Sequence, residues 1–584
     1  MHRHVVSLGL LTLCTFSCSP EPAAEEPTDA EVDSSTETDP ADTAVTETAD
    51  MDSAVDTAVA DAVADVVDVA EAPPPDSMIP TKTPSGVSGL ITGVTTDKGL
   101  ADKTAMMRAL IGLPLRSESA LDATIAGLYD PTSATYRKYL TADALVTAHA
   151  PTVADVDKVK VWLESQGLVV ARVATNRLFL EITGTVDQFN KAFTTTLHVL
   201  ERENPQVGNP PIEVFGVLGE LTIPKFVADR IVGVLAADLP ADPKALPGET
   251  GSVTTTPPSP ITDSFAPANI AKAYGFDTLA AKTFDGKGVK LGIVIGATYK
   301  KLDVQSFWKS FGITRADPTI VVTMEPIATR YVEGTLDTEW AGAMAPGADV
   351  TVYEGPDSRN TSMIYTFNEA IAQAKVSVIT DSFAHREDSE PAAVGAAYDR
   401  SAKLAAALGI TVLAASGDSG NPDIPSVSPH VTAVGGTVLS FAGSIPTDKA
   451  WNESGSGDSL RFPMPTWQKG LPIGTKRAVV DVAVNAGGIG YWVHYLGEWK
   501  RYGGTSFSSP VFAAGVAAMN SYRASKSLPP LGWLNPGLYA TSAAQKAFRD
   551  VVTGATASHA AAAGWDYPTG WGAPDFDALS QKLP

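Results

Sequence analysis

The sequence contains almost no cysteine: only 2 of its 584 residues, at positions 14 and 18, are Cys. Both precede every segment that has the pattern of a folded domain, so we expect no intramolecular disulfide in the folded protein. Without disulfides, a chain of this length must be stabilised by apolar cores, and it is long enough to form several domains.

Basic residues are also scarce: 43 Lys and Arg stand against 66 Asp and Glu, and the net charge is −23. Most of that charge lies in residues 21–80, which contain no Lys or Arg. Residues 19–80 also lack aromatic residues, so they cannot bury enough apolar surface to offset the entropy of ordering and are predicted to form a disordered stalk. The rest of the chain is only mildly acidic and has no basic patch, which excludes nucleic acid as a partner.

The N-terminus has a weakly basic start and one apolar run, from Val5 to Phe16. The run is too short to span a membrane and predicts an export signal over residues 1–18, which places the protein outside the cell or in the cell envelope. Cys18 follows small residues in a pattern that resembles a bacterial lipoprotein processing site, which predicts a lipid anchor on Cys18. Thr15 departs from that pattern, and the alternative is an ordinary cleaved signal.

Residues 81–240 alternate between short strands and helices. Within 151–167, the side chains of Val156, Val159, Trp162 and Leu163 share one helical face, and Gly167 ends the helix. Strands are predicted at 168–173 and 176–183, and a second helix at 185–193. This pattern predicts a small α+β open sandwich, and the prolines that follow mark an exposed linker at 241–262.

Residues 263–584 have a different texture, in which apolar runs alternate with long helical patterns. Strands buried on both faces are predicted at 289–296, 348–355, 376–380, 410–416 and 431–437, and helices at 363–374 and 392–409. Buried strands that alternate with helices predict an α/β fold, a parallel sheet with helices on both faces. Functional sites in such sheets lie at the carboxyl ends of the strands, where the segment "GDSG" (417–420) falls.

Two serine motifs are candidates for a nucleophile. "GDSG" surrounds Ser419 as in trypsin-like peptidases, but that mechanism needs a histidine base on a β-barrel. "GGTSFSSP" (503–510) is typical of subtilisin-like hydrolases, and Pro510 is predicted to open a helix whose free N–H groups would favour an oxyanion next to Ser506. Subtilisins carry their base histidine immediately before a glycine, and none of the 8 histidines has that neighbour.

A pair of acidic residues offers another base. Glu333 and Asp337 are four residues apart, so on a helix their carboxyl groups share one face. Two neighbouring carboxyls do not both ionise easily, so one keeps a proton that the pair can pass on. Such a pair could accept the hydroxyl proton of a serine, most effectively in acid.

These segments together resemble the sedolisins, the serine-carboxyl peptidases. The resemblance rests on "EGTLDTEWAGAMAPGA" (333–348), "AASGDSGNPDIP" (414–425), "GGTSFSSP" and "WDYPTGWGAP" (565–574), and on "LYDPTSATYRKYLTADAL" (128–145) in the first unit. It implies a subtilisin-like α/β peptidase domain at 263–584, preceded by a small α+β open-sandwich activation prodomain at 81–240 that inhibits it, and a processing site in the linker. The implied activity is that of an endopeptidase working on proteins or peptides in acid.

The resemblance also implies a role for each site residue. Ser506 is the nucleophile, Glu333 its general base, and Asp337 hydrogen-bonds Glu333 and shares its proton. Asp418, when protonated, donates a hydrogen bond to the oxyanion, so Ser419 does not attack. Only a neutral carboxyl can donate in this way, which requires acid or a raised pKa.

One structural calcium ion is a further implication of the resemblance. The segments "FRDVVTG" (548–554) and "AAAAGWD" (560–566) match the two ligand segments of the family. Their implied ligands are the carboxylates of Asp550 and Asp566 and the backbone carbonyls of Val551, Ala562 and Gly564. An all-oxygen shell suits a hard cation.

Two positions depart from the family pattern. Phe383 stands where the family usually has tryptophan, and Ile295 where many members have a glutamate that extends the catalytic hydrogen-bond network. These departures and the acidic stalk leave one alternative open: a surface binding protein that retains the fold and the calcium site with little or no activity. A separate alternative is a histidine-based hydrolase, which would need His385, His430 or His494 near Ser506 and which no motif supports.

Overall fold

The structure is a computed structural model that describes residues 78–87, 95–202, 211–239, 251–325 and 332–583. The predicted export signal, the predicted lipid anchor on Cys18, nearly all of the predicted stalk and residues 241–250 of the linker lie outside the described residues. Within those ranges, no helix has both the length and the apolar character needed to cross a membrane.

The elements are numbered in chain order. The helices are α1 (Glu118–Tyr129), α2 (Ala142–His149), α3 (Val153–Ser165), α4 (Val186–Ala192), α5 (Lys225–Ala228), α6 (Pro267–Tyr274), α7 (Phe276–Ala281), α8 (Lys301–Ser310), α9 (Val332–Met344), α10 (Asn360–Ala372), α11 (Ala392–Leu408), α12 (Thr505–Ser525), α13 (Asn535–Ala540), α14 (Ser542–Gln545) and α15 (Phe576–Ser580). The strands of the first unit are β1 (Pro80–Thr83), β2 (Thr95–Leu100), β3 (Met106–Gly112), β4 (Val169–Val173), β5 (Phe179–Thr185), β6 (Leu197–Arg202), β7 (Ile212–Val217), β8 (Leu221–Pro224) and β9 (Gly233–Asp238).

The strands of the second unit follow the linker. They are β10 (Lys290–Ile295), β11 (Thr319–Val322), β12 (Asp349–Glu354), β13 (Val378–Asp381), β14 (His385–Arg386), β15 (Thr411–Ala415), β16 (Asp423–Ile424), β17 (Thr432–Ala442), β18 (Ile445–Ala450), β19 (Gly457–Pro463), β20 (Lys476–Val479), β21 (Val482–Asn485), β22 (Tyr491–Tyr495), β23 (Glu498–Tyr502), β24 (Phe548–Arg549) and β25 (Ala573–Pro574).

The first unit is built on antiparallel sheets. Its largest sheet has the order β4-β5-β3-β9, and a second has the order β2-β6-β7. Helix α3 begins after Thr152, whose hydroxyl accepts a hydrogen bond from the Asp155 N–H at 3.1 Å. The four predicted apolar residues of α3 are all buried in the core of this unit, which confirms the predicted helical face.

The second unit is organised around a large sheet with the order β11-β12-β10-β13-β15-β17-β18, and β21 also pairs with β17. The pairs from β11 to β17 are parallel, as is the pair of β17 with β21, whereas β18 is antiparallel. Helices α9 and α12 pack on each other and on the sheet, as do α10 and α11. The predicted parallel sheet covered by helices is confirmed.

The two units contact each other through β3 and β9 of the first unit and α10 and α11 of the second. Arg108 on β3 forms an ion pair with Asp357 at 2.6 Å, just ahead of α10. Arg202, at the end of β6, forms an ion pair with Glu390, and the two side chains are almost completely buried. Ion pairs between oppositely charged side chains therefore connect the first unit to the second.

Candidate active site

Three elements of the second unit bring the predicted residues together. Helix α9 carries Glu333 and Asp337 one turn apart on one face. Strand β15 ends at Ala415, so Asp418 lies in the loop at its carboxyl end, and Ser506 lies in the first turn of α12. Because α9 and α12 pack against each other, the four residues converge at one edge of the sheet.

The Glu333 and Asp337 carboxyls both lie in a dehydrated environment. Asp337 is fully buried, and among the described residues neither its Oδ2 nor the buried Oε1 of Glu333 has a hydrogen-bond partner. Burial raises the pKa of both groups, and the charge of Glu333 raises the pKa of Asp337 further. Interaction with the Ser506 hydroxyl opposes the shift in the pKa of Glu333. The pair therefore retains a proton at pH values where an exposed carboxyl is ionised.

Helix α12 begins earlier than the sequence suggests. Pro510 was expected to open this helix, but the helix begins at Thr505, and Pro510 lies inside it. The reason is that the Thr505 N–H already has a partner, the Oδ1 of Asp418 at 2.8 Å. Pro510 has no backbone N–H, so the carbonyl of Ser506, four residues earlier, loses its helical hydrogen-bond donor. The Ser382 hydroxyl lies 3.3 Å from that carbonyl.

Ser382 is a site residue that the sequence reasoning missed. Its hydroxyl donates to Oδ1 of Asp337 at 2.8 Å, in addition to its contact with the Ser506 carbonyl. Ser382 thus links α9 to the first turn of α12. The only signal in the sequence was a hydroxyl residue at the end of a predicted buried strand.

Asp418 is held against the start of α12. Its Oδ1 accepts hydrogen bonds from the Thr505 N–H at 2.8 Å and the Thr505 hydroxyl at 2.7 Å. Burial raises the pKa of Asp418, and these two bonds oppose the shift. Gly504 is needed beside it, because its φ is 146° and a Cβ there would lie 2.8 Å from Asp418 Oδ2.

The alternative residues lie elsewhere or are engaged elsewhere. Ser419 is exposed to solvent. His385 Nδ1 lies 2.8 Å from Glu390, and His430 Nδ1 lies 2.8 Å from Asp399. His494 Nδ1 lies 3.2 Å from Asp303. None of the three histidines takes the position of a base next to Ser506, so the histidine-based hypothesis has no structural support.

The two departures from the family pattern lie behind the carboxyl pair. Ile295 ends β10, and a Cβ on Gly334 of α9 would lie 2.9 Å from its Cδ1, so the Ile295 side chain packs against α9 at the residue after Glu333. Phe383 is buried, and its N–H donates to Oδ1 of Asp381 at 3.0 Å. Asp381 is a fully buried carboxyl that the sequence reasoning did not identify.

The predicted calcium ligands lie in two neighbouring segments. The Gly564 N–H donates to Asp550 Oδ2 at 3.0 Å, and the Ala562 N–H donates to Asp566 Oδ2 at 2.6 Å. Burial raises the pKa of Asp566, and the charge of Asp550 adds to the shift. The described residues contain no group of three or more His, Cys, Asp or Glu side chains that could hold a metal ion, and this site offers two carboxylates.

This arrangement defines the class of the protein. A parallel α/β sheet places a serine at the start of a helix, as in subtilisin-like hydrolases, but surrounds it with buried carboxyls where those enzymes use imidazole. Two family models match the chain: "Pro-kumamolisin, activation domain" over residues 94–238, and "Subtilase family" over residues 327–572.

Sequence similarity to three characterised groups of peptidases indicates the family. Kumamolisin from Bacillus sp. (strain MN-32) is 31% identical over 497 residues, which cover 76% of this chain and 86% of that protein. Sedolisin from Pseudomonas sp. (strain 101) is 27% identical over 522 residues, covering 81% and 86%. Tripeptidyl-peptidase 1 from Canis lupus familiaris is 27% identical over 546 residues, covering 83% and 93%.

A solved structure of Pseudomonas sedolisin, complexed with two molecules of pseudo-iodotyrostatin, is also similar. Its sequence is 26% identical, the match covers 55% of this chain and 97% of that one, and the TM-score is 0.48. On the similarity to kumamolisin, the chain belongs to the sedolisin family of serine-carboxyl peptidases. It carries an activation domain ahead of its peptidase unit.

Proposed function

We propose that this protein is an exported zymogen whose mature form hydrolyses peptide bonds in acid, with Ser506 as the nucleophile. Glu333 is the general base, Asp337 shares its proton, and Asp418 donates to the oxyanion. The observation that supports the proposal is the convergence of α9, the β15 loop and α12, in which the Glu333 carboxyl, whose pKa burial raises, interacts with the hydroxyl of Ser506 in the first turn of α12. Export and a lipid anchor on Cys18 rest on the sequence pattern.

The proton movements follow from the state of the pair. With one proton on the pair, held by Asp337, the ionised Glu333 accepts the Ser506 hydroxyl proton while the serine oxygen bonds to the substrate carbonyl carbon. Glu333 then gives that proton to the leaving amine as the C–N bond breaks. Water repeats the sequence on the acyl-enzyme, and Glu333 again takes a proton and returns it to Ser506.

The oxyanion formed in each step needs a donor. The Asp418 carboxyl can donate only while it is protonated, and burial raises its pKa, which keeps it neutral into milder acid. Thr505 occupies Oδ1 with two hydrogen bonds, which leaves Oδ2 to carry the proton. The pair must have lost one proton while Asp418 keeps its own, so activity is confined to acid.

The contacts of the first unit support a zymogen. Arg108 and Arg202 bind Asp357 and Glu390 of the peptidase unit, so residues 81–240 act as an inhibitory prodomain. The later part of the linker lies on the peptidase unit instead: the Trp499 indole N–H donates to the Thr256 carbonyl at 3.1 Å. Processing is therefore expected ahead of residue 251.

A single calcium ion would be held by Asp550, Asp566 and the carbonyls of Val551, Ala562 and Gly564. The fit rests on the charge of Asp550, which adds to the effect of burial in raising the pKa of Asp566 and which a cation between the two would offset, and on donors that are all oxygen. Bound there, calcium would connect the two segments and stabilise the C-terminal part of the peptidase unit.

Calcium binding can be tested without measuring activity. Calcium chloride added to protein treated with a chelator should raise the Tm of a Ser506→Ala precursor, because an ion that binds only the folded state stabilises it. Asp566→Asn should remove that rise, while Asp577→Asn, an exchange of a carboxylate outside the site, should leave it unchanged. An equal rise in all three proteins would contradict the site.

The proposed function is tested most simply by two serine variants. Precursor acidified to pH 4 should digest denatured haemoglobin, and Ser506→Ala should lose this activity because no hydroxyl remains to attack. The matched control is Ser419→Ala, the exposed serine of "GDSG", which should remain active within about twofold. Undiminished digestion by Ser506→Ala, or its loss in Ser419→Ala, would overturn the assignment of the nucleophile.

A further inference from the structure

A third carboxyl lies behind the Glu333–Asp337 pair. Asp381 is the last residue of β13, in the centre of the parallel sheet, in register with Val294 of β10 and Ala414 of β15. Its side chain is fully buried. It directly precedes Ser382, whose hydroxyl donates to Asp337 at 2.8 Å, so Asp381 is one residue removed from the group that holds the pair in place.

The described residues around Asp381 supply no cation. Its Oδ1 accepts the Phe383 N–H at 3.0 Å, and its Oδ2 is buried and has no hydrogen-bond partner among the described residues. No Lys, Arg or His in the described part of the chain forms an ion pair with it. An ionised carboxyl in such a place is costly, so the group exists there as a neutral acid over a wide pH range.

The titratable groups that face Asp381 come from two helices. Helix α9 brings Glu333 and Asp337, and α11 brings Tyr398, a buried phenol. Strands β10 and β15 bring only aliphatic neighbours, and α12 brings the Ser509 hydroxyl, which lies 2.7 Å from that of Thr380. The charge of Glu333 raises the pKa of Asp381, and the charge of Asp381 raises the pKa of Asp337, so Asp381 interacts with both carboxyls of the proposed base.

We propose that Asp381 is a positioning residue of the active site, a third carboxyl that acts through Asp337 and keeps a proton on the Glu333–Asp337 pair as the solution becomes less acidic. The inference rests on the proposed function of that pair. Asp381 touches neither substrate nor the Ser506 hydroxyl.

The physical reason is repulsion between like charges. Burial raises the pKa of Asp381, and the charge of Glu333 adds to the shift. When Asp381 does ionise, its charge opposes loss of the last proton from the pair, because that loss would leave three negative charges together in a medium of low dielectric constant. The one-proton state in which Glu333 can act as a base therefore extends to a higher pH.

The test is the pH dependence of kcat in an Asp381→Asn variant built on Asp418→Asn, whose amide donor does not titrate, so that the pair and not Asp418 sets the fall of kcat at higher pH. The parent in this comparison is the Asp418→Asn enzyme. Asparagine keeps the shape and the acceptor for the Phe383 N–H but carries no charge. Where kcat falls as the pH rises, the midpoint should move to lower pH by on the order of one unit, while kcat at its acid maximum and KM stay within about threefold. Asp381→Ser is the second variant, since its hydroxyl can accept the same N–H with a smaller side chain should Asn prevent folding.

Glu354→Gln is the matched control. Glu354 is also a buried carboxyl at the end of a strand of this sheet, and burial raises its pKa to about 7, but it lies against Thr298 and is not among the groups that shift the pKa of Glu333 or Asp337. Its pH profile should match the parent enzyme.

The outcomes separate this inference from the proposed function. Profiles of the Asp381 variants that superimpose on the parent profile, with Ser506→Ala inactive, overturn the role of Asp381 alone. An active Ser506→Ala overturns the proposed function. A uniform fall in kcat at every pH, with no shift of the midpoint, shows a merely structural role and also overturns the inference.

Discussion

Buried carboxyls occupy two regions of this molecule and behave in opposite ways. At the contact between the prodomain and the peptidase unit, burial alone would raise the pKa of Glu390, but the Arg202 guanidinium and His385 outweigh it and hold that pKa well below its ordinary value. In the candidate active site, Glu333, Asp337 and Asp381 form no ion pair with a cation among the described residues, and burial raises the pKa of each. Both groups of carboxyls are buried, so the presence or absence of a cationic partner decides whether the pKa is lowered or raised.

This difference assigns different consequences to acid. Mild acid does not discharge Glu390, and the same holds for Asp357, whose pKa is kept low by Arg108 and Arg359 against the effect of burial. The contact therefore stays charged and intact while the active site gains the protons that it needs. On the proposed mechanism, mild acid protonates the site at pH values where the prodomain contact is still charged, so cleavage of the linker is the expected route to release.

The largest expected effect sharpens the active-site half of the comparison. Asp418→Ala removes a donor to the oxyanion and should lower kcat by about 10²–10³-fold at pH 4. Asp418→Asn can still donate through its amide while its oxygen accepts from Thr505, so it should lose less and should keep that donor at higher pH. Equal activity of the alanine variant and the parent in steady-state assays would remove Asp418 from the mechanism.

The next largest effect tests the ion-paired carboxyls at the contact between the prodomain and the peptidase unit. Arg202→Met in a Ser506→Ala precursor leaves Glu390 buried without its guanidinium, and the free energy of unfolding should fall by about 3–5 kcal/mol. Denaturant titration measures this change. Lys82→Met is the control, because Lys82 pairs with Glu220 on the surface of the same prodomain and should change stability little. Equal losses in the two variants would show that burial of the pair is not what matters.

The smallest expected effect compares the two regions in one measurement, the free energy of unfolding as a function of pH. A group with a raised pKa holds its proton more tightly when folded, so its contribution is present in acid and is lost as the pH rises above its unfolded value. Glu333, Asp337 and Asp381 should therefore lower the free energy of unfolding of the Ser506→Ala precursor between about pH 4 and pH 8. Glu390 and Asp357 act in the opposite sense and lose their contribution below about pH 4.

One substitution isolates the contribution of Asp337 to this change in the free energy of unfolding with pH. Asp337→Asn should reduce the loss of stability between pH 4 and pH 7 by on the order of 2 kcal/mol, because the variant has no carboxyl to ionise at that position. Denaturant titrations at the two pH values give the difference. A loss of the same size in the variant and its parent would mean that Asp337 is not held neutral by the fold.

Much of the peptidase unit was predictable because its signals are local. The apolar runs at β10, β13 and β15 are strands buried on both faces, and Asp418 follows one of them within a short motif. Glu333 and Asp337 share a face because four residues make about one helical turn. These inferences needed no knowledge of distant contacts.

The remainder depends on packing between distant segments. The start of α12 at Thr505 is set by Asp418, 87 residues earlier, and therefore could not be inferred from Pro510 alone. In the sequence, Asp381 and Ser382 are only the polar end of a predicted strand. Their place in the site follows from the packing of α9, where Asp337 accepts a hydrogen bond from Ser382. The Arg108–Asp357 pair joins residues 249 positions apart. No pattern in one segment indicates such partners.

The central claim is that carboxyls, and not imidazole, activate Ser506. It is tested most directly by kcat of the processed enzyme from about pH 2 to pH 8, beside a Glu333→Gln variant. We predict a bell-shaped profile with its maximum in acid, and loss of that profile in Glu333→Gln. Activity that rises through about pH 6.5, the ordinary pKa of histidine, and survives in Glu333→Gln would contradict the account.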